Sequence, residues 1–305
     1  MKWSGKRVLV TGGAGFIGSH LARRLLRDNA EVVILDNFSA GKKENIPCGC
    51  DVIEGDVRDR TTLKKTGYVD YIFNFGSPSS VILYSKEPYA CVEATVYGFL
   101  NLLEWTKNVG AKKLIYPTSG SVYGNTPLPQ SEESSVLPMN LYGIAKLTCE
   151  HIARLYSDEI PIVGLRIFAG YGHGEQHKGS FASPVTLFLN AIINDEKPLV
   201  YGNGTQSRDF VYIDDIIEAL IRAAERNVVG IINVGSGKAY TFNEVIKHIN
   251  ELLNKNIKPI YVNKPVNYLE RTLANTRRMK KLLDIKPLDL EEGLKKYLQQ
   301  IFQKP

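Results

Sequence analysis

The sequence is poor in cysteine, with four in 305 residues: Cys48, Cys50, Cys91 and Cys149. Cys48-Gly-Cys50 lacks a second pair and has no histidine at ligand spacing, so a structural zinc site is excluded and no metal is expected. Thiols this sparse read as reduced, which points to the cytoplasm. Long apolar runs are missing too: none approaches the roughly 18 residues of a membrane span. The N-terminal Lys2-Trp3-Ser4-Gly5-Lys6-Arg7 runs straight into an apolar strand, which leaves no room for a signal peptide. Blocks of like charge are absent. Net charge is +6, and Lys42-Lys43, Lys112-Lys113 and Arg277-Arg278 are isolated pairs, so neither a nucleic-acid surface nor a membrane surface is expected. Repeats and low-complexity segments are lacking as well. What remains, 44% hydrophobic and 23% charged, is an ordinary globular composition with material for one large or two closely joined domains.

Glycine, by contrast, is concentrated where it can do something. Thr11-Gly-Gly-Ala-Gly-Phe-Ile-Gly18 directly follows the apolar run Val8-Leu9-Val10. Gly12, Gly15 and Gly18 therefore fall on the turn between a buried strand and a helix beginning near Phe16. Such a turn lets the backbone approach a pyrophosphate, whose charge the free amides and the positive helix end then hold. A second strand, Glu31 to Leu35, ends in Asp36, 18 residues beyond Gly18. A carboxylate there accepts from an adenosine ribose and repels a 2′-phosphate, so the cofactor expected is NAD rather than NADP.

Strand-like and helix-like segments alternate through the first half. Val8–Val10, Val32–Leu35, Val52–Glu54, Tyr71–Phe75, Leu114–Tyr116 and Ile162–Ile167 read as strands. Phe16–Arg27, Pro88–Asn108 and Asn140–Ser157 read as amphipathic helices. The pattern predicts an α/β fold, a Rossmann-type doubly wound parallel sheet with ligands beyond its C-terminal strand ends. Gly12, Asp36, Asp56, Ser77 and Ser119 all fall at such ends. Residues 1–168 are assigned to this NAD-binding domain. Residues 169–305 are assigned to a smaller substrate-binding region with segments returning to it, including a helix near Ala182–Asn194, a strand Phe210–Ile213 and a closing surface helix Leu290–Phe302.

Of 16 tyrosines, one has a lysine four positions later: Tyr142-Gly-Ile-Ala-Lys146. On a helix this spacing puts both side chains on one face. A nearby ammonium and an oxidised nicotinamide each favour the phenolate, and together can bring a tyrosine from about 10 toward neutrality, where it acts as a general base. Upstream, Pro117-Thr-Ser119-Gly120-Ser121-Val-Tyr-Gly124 places a hydroxyl at a strand end, able to hydrogen-bond the oxygen that Tyr142 deprotonates.

These motifs, with Gly55-Asp56-Val57-Arg58-Asp59, Gly164-Leu165-Arg166 and Arg208-Asp209-Phe210-Val211-Tyr212, resemble the extended short-chain dehydrogenase/reductases, specifically the NAD-dependent nucleotide-sugar epimerase/dehydratase family. The resemblance runs through nearly the whole chain. It implies that Gly12, Gly15, Phe16, Ile17, Gly18, Asp36 and Asn37 hold NAD, with Asp56 and Val57 against the adenine. It implies proton chemistry by Ser119 and Tyr142, with Lys146 also on the nicotinamide ribose. Arg208 would pair with the diphosphate of a nucleotide-sugar substrate, and Ser77, Ser119, Ala169, Lys178, Ser180 and Lys264 would line its site. The family's dimer implies a homodimer built on helices 88–109 and 140–157, with Leu100, Leu103, Ile144, Leu147 and Leu155 as apolar positions.

Dehydratases of this family carry an acid pair where Gly120 and Ser121 stand, which weakens that reading. Asp36-Asn-Phe-Ser-Ala-Gly41 is similar to the 4-epimerases of UDP-glucose, and a UDP-hexose 4-epimerase is the leading expectation. Tyr171-Gly-His-Gly-Glu175-Gln-His-Lys178-Gly-Ser-Phe-Ala-Ser183 is similar instead to the heptose 6-epimerases, in which Lys178 would be a second acid/base. A 4-keto-sugar reductase or a non-catalytic dinucleotide sensor would also carry the glycine-rich turn. The chain departs from the family at Asn74, often histidine, and at Thr95 and Ala169, often asparagine. Lys264 stands where a second diphosphate-binding arginine is often found.

Overall fold

A computed structural model describes residues 2–264 and 268–302. The first half lays down β1 (Arg7–Thr11), β2 (Glu31–Asp36), β3 (Asp51–Glu54), β4 (Tyr71–Asn74), β5 (Lys113–Ser119) and β6 (Ile162–Ile167). The second adds β7 (Ala169–Tyr171), β8 (Leu199–Tyr201), β9 (Ser207–Tyr212), β10 (Gly230–Val234), β11 (Ala239–Thr241) and β12 (Ile260–Val262). Seven of them form one parallel sheet in the order β10-β6-β5-β4-β1-β2-β3, so the chain reverses direction across the sheet at β1 and β4. The Rossmann expectation is met, and ligand sites in such sheets lie in the crevice at that reversal. The boundary expected at 168/169 falls between β6 and β7, and β10 returns to the main sheet beside β6.

The helices are α1 (Phe16–Arg27), α2 (Arg60–Lys64), α3 (Val81–Lys86), α4 (Pro88–Val92), α5 (Gly98–Val109), α6 (Leu141–Leu155), α7 (Pro184–Ile193), α8 (Ile213–Glu225), α9 (Phe242–Leu253), α10 (Arg277–Leu283) and α11 (Leu290–Phe302). Alternation along the strands decides which helices cover which face. Val8, Val10, Val32 and Ile34 point into a core shared with Leu21 and Leu25 of α1 and Ile216 and Leu220 of α8. Leu9, Val33, Leu35 and Ile72 point the other way, onto Phe99 and Leu103 of α5 and Cys149 and Ala153 of α6. Each such buried aliphatic residue contributes roughly 1.5–3 kcal/mol. The first core continues into the second half through Phe188, Phe210, Phe242 and Tyr297, so the small sheets β11-β9-β7 and β12-β8 are anchored on the main one.

The single helix expected over 88–108 is three pieces. A π-helical turn, Glu93–Tyr97, separates α4 from α5. The α-helix restarts at Gly98, where a Cβ would meet the Val57 side chain at 2.6 Å. The wider turn and the missing side chain let this helix pass close under the loop that carries Val57, and π turns gather at functional sites.

Candidate active site

The phosphate cradle is built by exclusion of side chains. At Gly12, φ is +66°, and a Cβ would lie 2.2 Å from the Phe75 carbonyl oxygen at the end of β4. A Cβ on Gly18 would meet the Gly12 carbonyl oxygen at 2.3 Å, so helix α1 can seat against the turn only through glycine. Gly15 caps α1, and no side chain caps its first amides at the positive helix end. Such a cradle fits a dinucleotide pyrophosphate. Asp36 is buried at the tip of β2, where Oδ2 accepts from the Ala14 amide (2.9 Å) and Oδ1 from the Phe38 amide (2.8 Å). These bonds fix its carboxylate beside the cradle while leaving lone pairs for ribose hydroxyls.

Asn37 and Asp56 meet across the tips of β2 and β3, with Asn37 Nδ2 donating to Asp56 Oδ2 at 2.7 Å. Arg58 folds back onto Asp56 with contacts of 2.8–2.9 Å, and these bonds hold the carboxyl at about 2. Val57 is buried between Gly76 and Gly98, either of which would collide with it if it bore a side chain. The wall expected against adenine is thus assembled at one place.

The proton-transfer candidates also converge. Ser119 ends β5 and Tyr142 opens α6, which Asn140 caps by accepting from the Gly143 amide at 2.9 Å. The Ser119 side chain stands near enough to the Tyr142 phenol to favour its ionised form, and its hydroxyl accepts from the Ser121 amide at 3.1 Å. Lys146, one turn on, is buried; its Nζ lies 5.8 Å from the Tyr142 ring centroid and donates to Ser77 Oγ (2.9 Å) and the Pro117 carbonyl (3.4 Å). Tyr142, Lys146, Ser77 and Ser119 are therefore neighbours, the first two on one helix face as their spacing predicts. Burial pushes the Tyr142 phenol up, against the effect of Ser119, and pushes Lys146 down.

Sequence reasoning missed the supports of this group. Tyr84 of α3 is fully buried, sets its ring edge-on to Tyr142 with centroids 5.3 Å apart, and hydrogen-bonds Thr95 in the π turn. Below Ser119, Thr118 donates to Glu150 at 2.6 Å, and Arg166 clamps the same carboxylate at 3.0 and 2.6 Å. This buried pair ties α6 to β5 and β6 and so fixes where Tyr142 and Lys146 point. The Gly164-Leu165-Arg166 motif marks the arginine, but nothing in the sequence marks its partner.

Arg208 sits on β9 between the rings of Phe242 (5.6 Å) and Tyr268 (5.4 Å), and donates from Nη1 to the Ser207 (2.9 Å) and Glu270 (3.1 Å) carbonyls. Burial lowers its pKa, and two ring faces and backbone carbonyls replace the water it loses. Lys264, beside it, is ion-paired with Glu270. Ala169 starts β7 in register with Phe210 of β9, on the strand that carries Arg208. Ser180 is exposed on the short helical turn Gln176–Phe181. Lys178, on the same turn, has its Nζ 2.8 Å from Glu175 Oε1 and 4.4 Å from the Phe16 ring centroid, so its contacts are with the cradle helix rather than with Ser119 or Tyr142. Among the described residues no cluster could hold a metal ion, and no helix is long and apolar enough to cross a membrane.

The model of the NAD dependent epimerase/dehydratase family matches residues 8–235. The chain belongs to this family. It is an NAD-dependent enzyme of the epimerase kind. A putative UDP-glucose 4-epimerase of Methanocaldococcus jannaschii is 30% identical over 95% of this chain and 96% of its own. Among solved structures, a UDP-N-acetylglucosamine 4-epimerase of Methanobrevibacter ruminantium, in complex with UDP-N-acetylmuramic acid, is 32% identical with a TM-score of 0.92, covering 98% of this chain and 99% of its own. The ADP-L-glycero-D-manno-heptose-6-epimerase of Helicobacter pylori is also 32% identical, with a TM-score of 0.89 over 100% and 98%. Relatives at this distance share the family's fold but differ in the carbon their names assign.

Proposed function

We propose that the protein is a nucleotide-sugar 4-epimerase acting on a UDP-hexose. The observation that carries this reading is the grouping of Ser119, Tyr142 and Lys146, with Lys146 bonded to Ser77. Gly120 and Ser121 supply no acid for elimination of water, and Lys178 is engaged by Glu175. Epimerisation through a transient ketone needs one proton acceptor that later returns the proton, and nothing more.

NAD, when bound, supplies the hydride acceptor and, once reduced, the donor. Tyr142 takes the 4-hydroxyl proton and gives it back after the 4-keto sugar has turned its other face. Ser119 holds the same oxygen through both halves, its hydroxyl aligned by the Ser121 amide. Lys146 anchors Ser77 and the end of β5, and so fixes the distance between the phenol and the cradle. Burial raises Tyr142, and the positive charge of an oxidised cofactor would act against that rise. Arg208, preset by its carbonyl partners and ring faces, holds the substrate diphosphate with little ordering left to do, and Lys264 adds charge nearby.

One observation favours a second reading: the 171–183 loop with Lys178 resembles that of heptose 6-epimerases, and a 6-epimerase of that class superposes along the whole chain. The test is incubation with UDP-galactose and with ADP-linked heptose, with separation of the products. UDP-glucose formation, with no net change at the nicotinamide absorbance band, supports the 4-epimerase; inversion of the heptose alone replaces it.

A further inference from the structure

The segment after β7 binds the cradle helix at three points. His173 Nδ1 and His20 Nε2 share a hydrogen bond at 3.3 Å, with the rings crossed at 80° and 4.6 Å apart. His20 in turn bonds the Phe16 carbonyl through Nδ1 at 2.8 Å. Gly174, at φ +87°, lies so close to His20 that a Cβ would come within 2.8 Å of its Cε1. The third point is the Lys178 ammonium over the ring of Phe16. All three contacts fall on the first turn and a half of α1, the helix that opens from the glycine turn and whose first amides no side chain caps.

The ammonium does not lie there by chance packing. Glu175 is 1% exposed. Its Oε1 takes Lys178 at 2.8 Å, and its Oε2 takes the hydroxyls of Ser183 and Thr186, both at 2.7 Å. Ser183 caps α7, so the carboxylate is fixed to a helix of the core rather than to the loop alone. A buried carboxylate with one cation and two hydroxyls on it holds that cation in one place. The result is a strap whose ammonium is set over Phe16, the residue that opens the anion-binding helix.

We propose that Lys178 is a cofactor ligand, closing the cradle by pairing with the NAD diphosphate, and that Glu175 is its positioning residue. The chemistry at this point is that of a nucleotide diphosphate, which both NAD and the sugar nucleotide carry. The contact with Phe16 assigns it to NAD, and the sugar nucleotide has Arg208 and Lys264 on β9 and beside β12. The inference rests on NAD binding alone and stands whichever carbon is inverted.

The test is Lys178→Met, which keeps the stem and removes the charge, with Lys178→Arg as the conservative partner and Glu175→Gln as the positioning variant. Each is freed of nucleotide and titrated calorimetrically with NAD, ADP-ribose, adenosine and UDP. Loss of one charged contact is expected to weaken NAD and ADP-ribose about tenfold in Lys178→Met, leaving adenosine and UDP as in the parent, with recovery in Lys178→Arg. Glu175→Gln is expected to show the same pattern; should it fail to fold, Lys178→Met, whose head group is outside the core, decides. Unchanged NAD affinity in Lys178→Met overturns the proposal. If UDP alone is weakened, the lysine belongs to the substrate. If no affinity changes but turnover is lost, it is a second acid/base.

Discussion

Gly12 and Gly67 offer a matched pair for measuring what the cradle demands of its backbone. Their φ angles are +66° and +65°, yet a Cβ on Gly67 meets nothing within 4 Å, whereas one on Gly12 lies 2.2 Å from the Phe75 carbonyl oxygen and 2.9 Å from the Gly76 nitrogen. Gly67→Ala therefore carries only the cost of a left-handed L-residue, about 1 kcal/mol. Gly12→Ala carries the same cost plus forced movement of buried backbone, which overpacking data put at about 1–3 kcal/mol, for a total near 2–4 kcal/mol. Urea unfolding of the nucleotide-free variants measures both. NAD titration should then show Gly67→Ala at parent affinity and Gly12→Ala weakened, because the displaced turn carries the cradle. Equal destabilisation in the two variants would refute the claim that close approach to β4, rather than the φ angle, requires glycine at position 12.

Arg208→Lys keeps the charge but loses the planar fork and the stacking on Phe242 and Tyr268; KM for the sugar nucleotide should rise about tenfold with a smaller change in kcat, read from initial rates. Burial raises Asp215 to about 6, above the roughly 3.9 of an unfolded aspartate, so between these values the folded chain holds more protons and loses stability as pH rises. Asp215→Asn, which can still accept from the Leu288 amide, should flatten that decline in thermal unfolding followed from pH 4 to 6.5. Tyr97 (48%), Ile144 (48%) and Leu155 (80%) are exposed on or beside α5 and α6, whereas Leu103 is fully buried, so a homodimer through these helices would cover the first three. Leu155→Asp should then sediment as a monomer if that dimer forms.

The sheet is legible in the sequence because its strands are short apolar runs ended by glycine or acid, and Ile162–Ile167 matches β6 residue for residue. The break in the helix over 88–108 is not legible, since the helix restarts at Gly98 against Val57, 41 residues away in sequence, and no local pattern records that. Helix α8 escapes the sequence reading because its start merges with the strand expected over Phe210–Ile213. Its signal is nevertheless present: Ile213, Ile216, Ile217 and Leu220 repeat at helical spacing and all are buried. At the site, the glycines and the tyrosine–lysine pair are visible because backbone approach and one-face spacing leave marks in sequence. Glu150 and Tyr84 are not, because Arg166 and Tyr142 meet them only after folding, and Thr95 shows in sequence only as a departure from the family's asparagine. Glu175 stands inside the 171–183 loop, yet its role depends on Ser183 and Thr186 meeting it after folding.

In the proposed reaction hydride leaves C4 of a UDP-hexose and returns to the same carbon while Tyr142 carries the proton. UDP-galactose deuterated at C4, incubated with the enzyme and followed by NMR and mass spectrometry, tests it directly. UDP-glucose with deuterium retained at C4 is expected, and, for Tyr142→Phe, a loss of rate on the order of 10²–10⁴ with NAD binding intact. Washout of the label into water, or conversion by Tyr142→Phe at the parent rate, would contradict it.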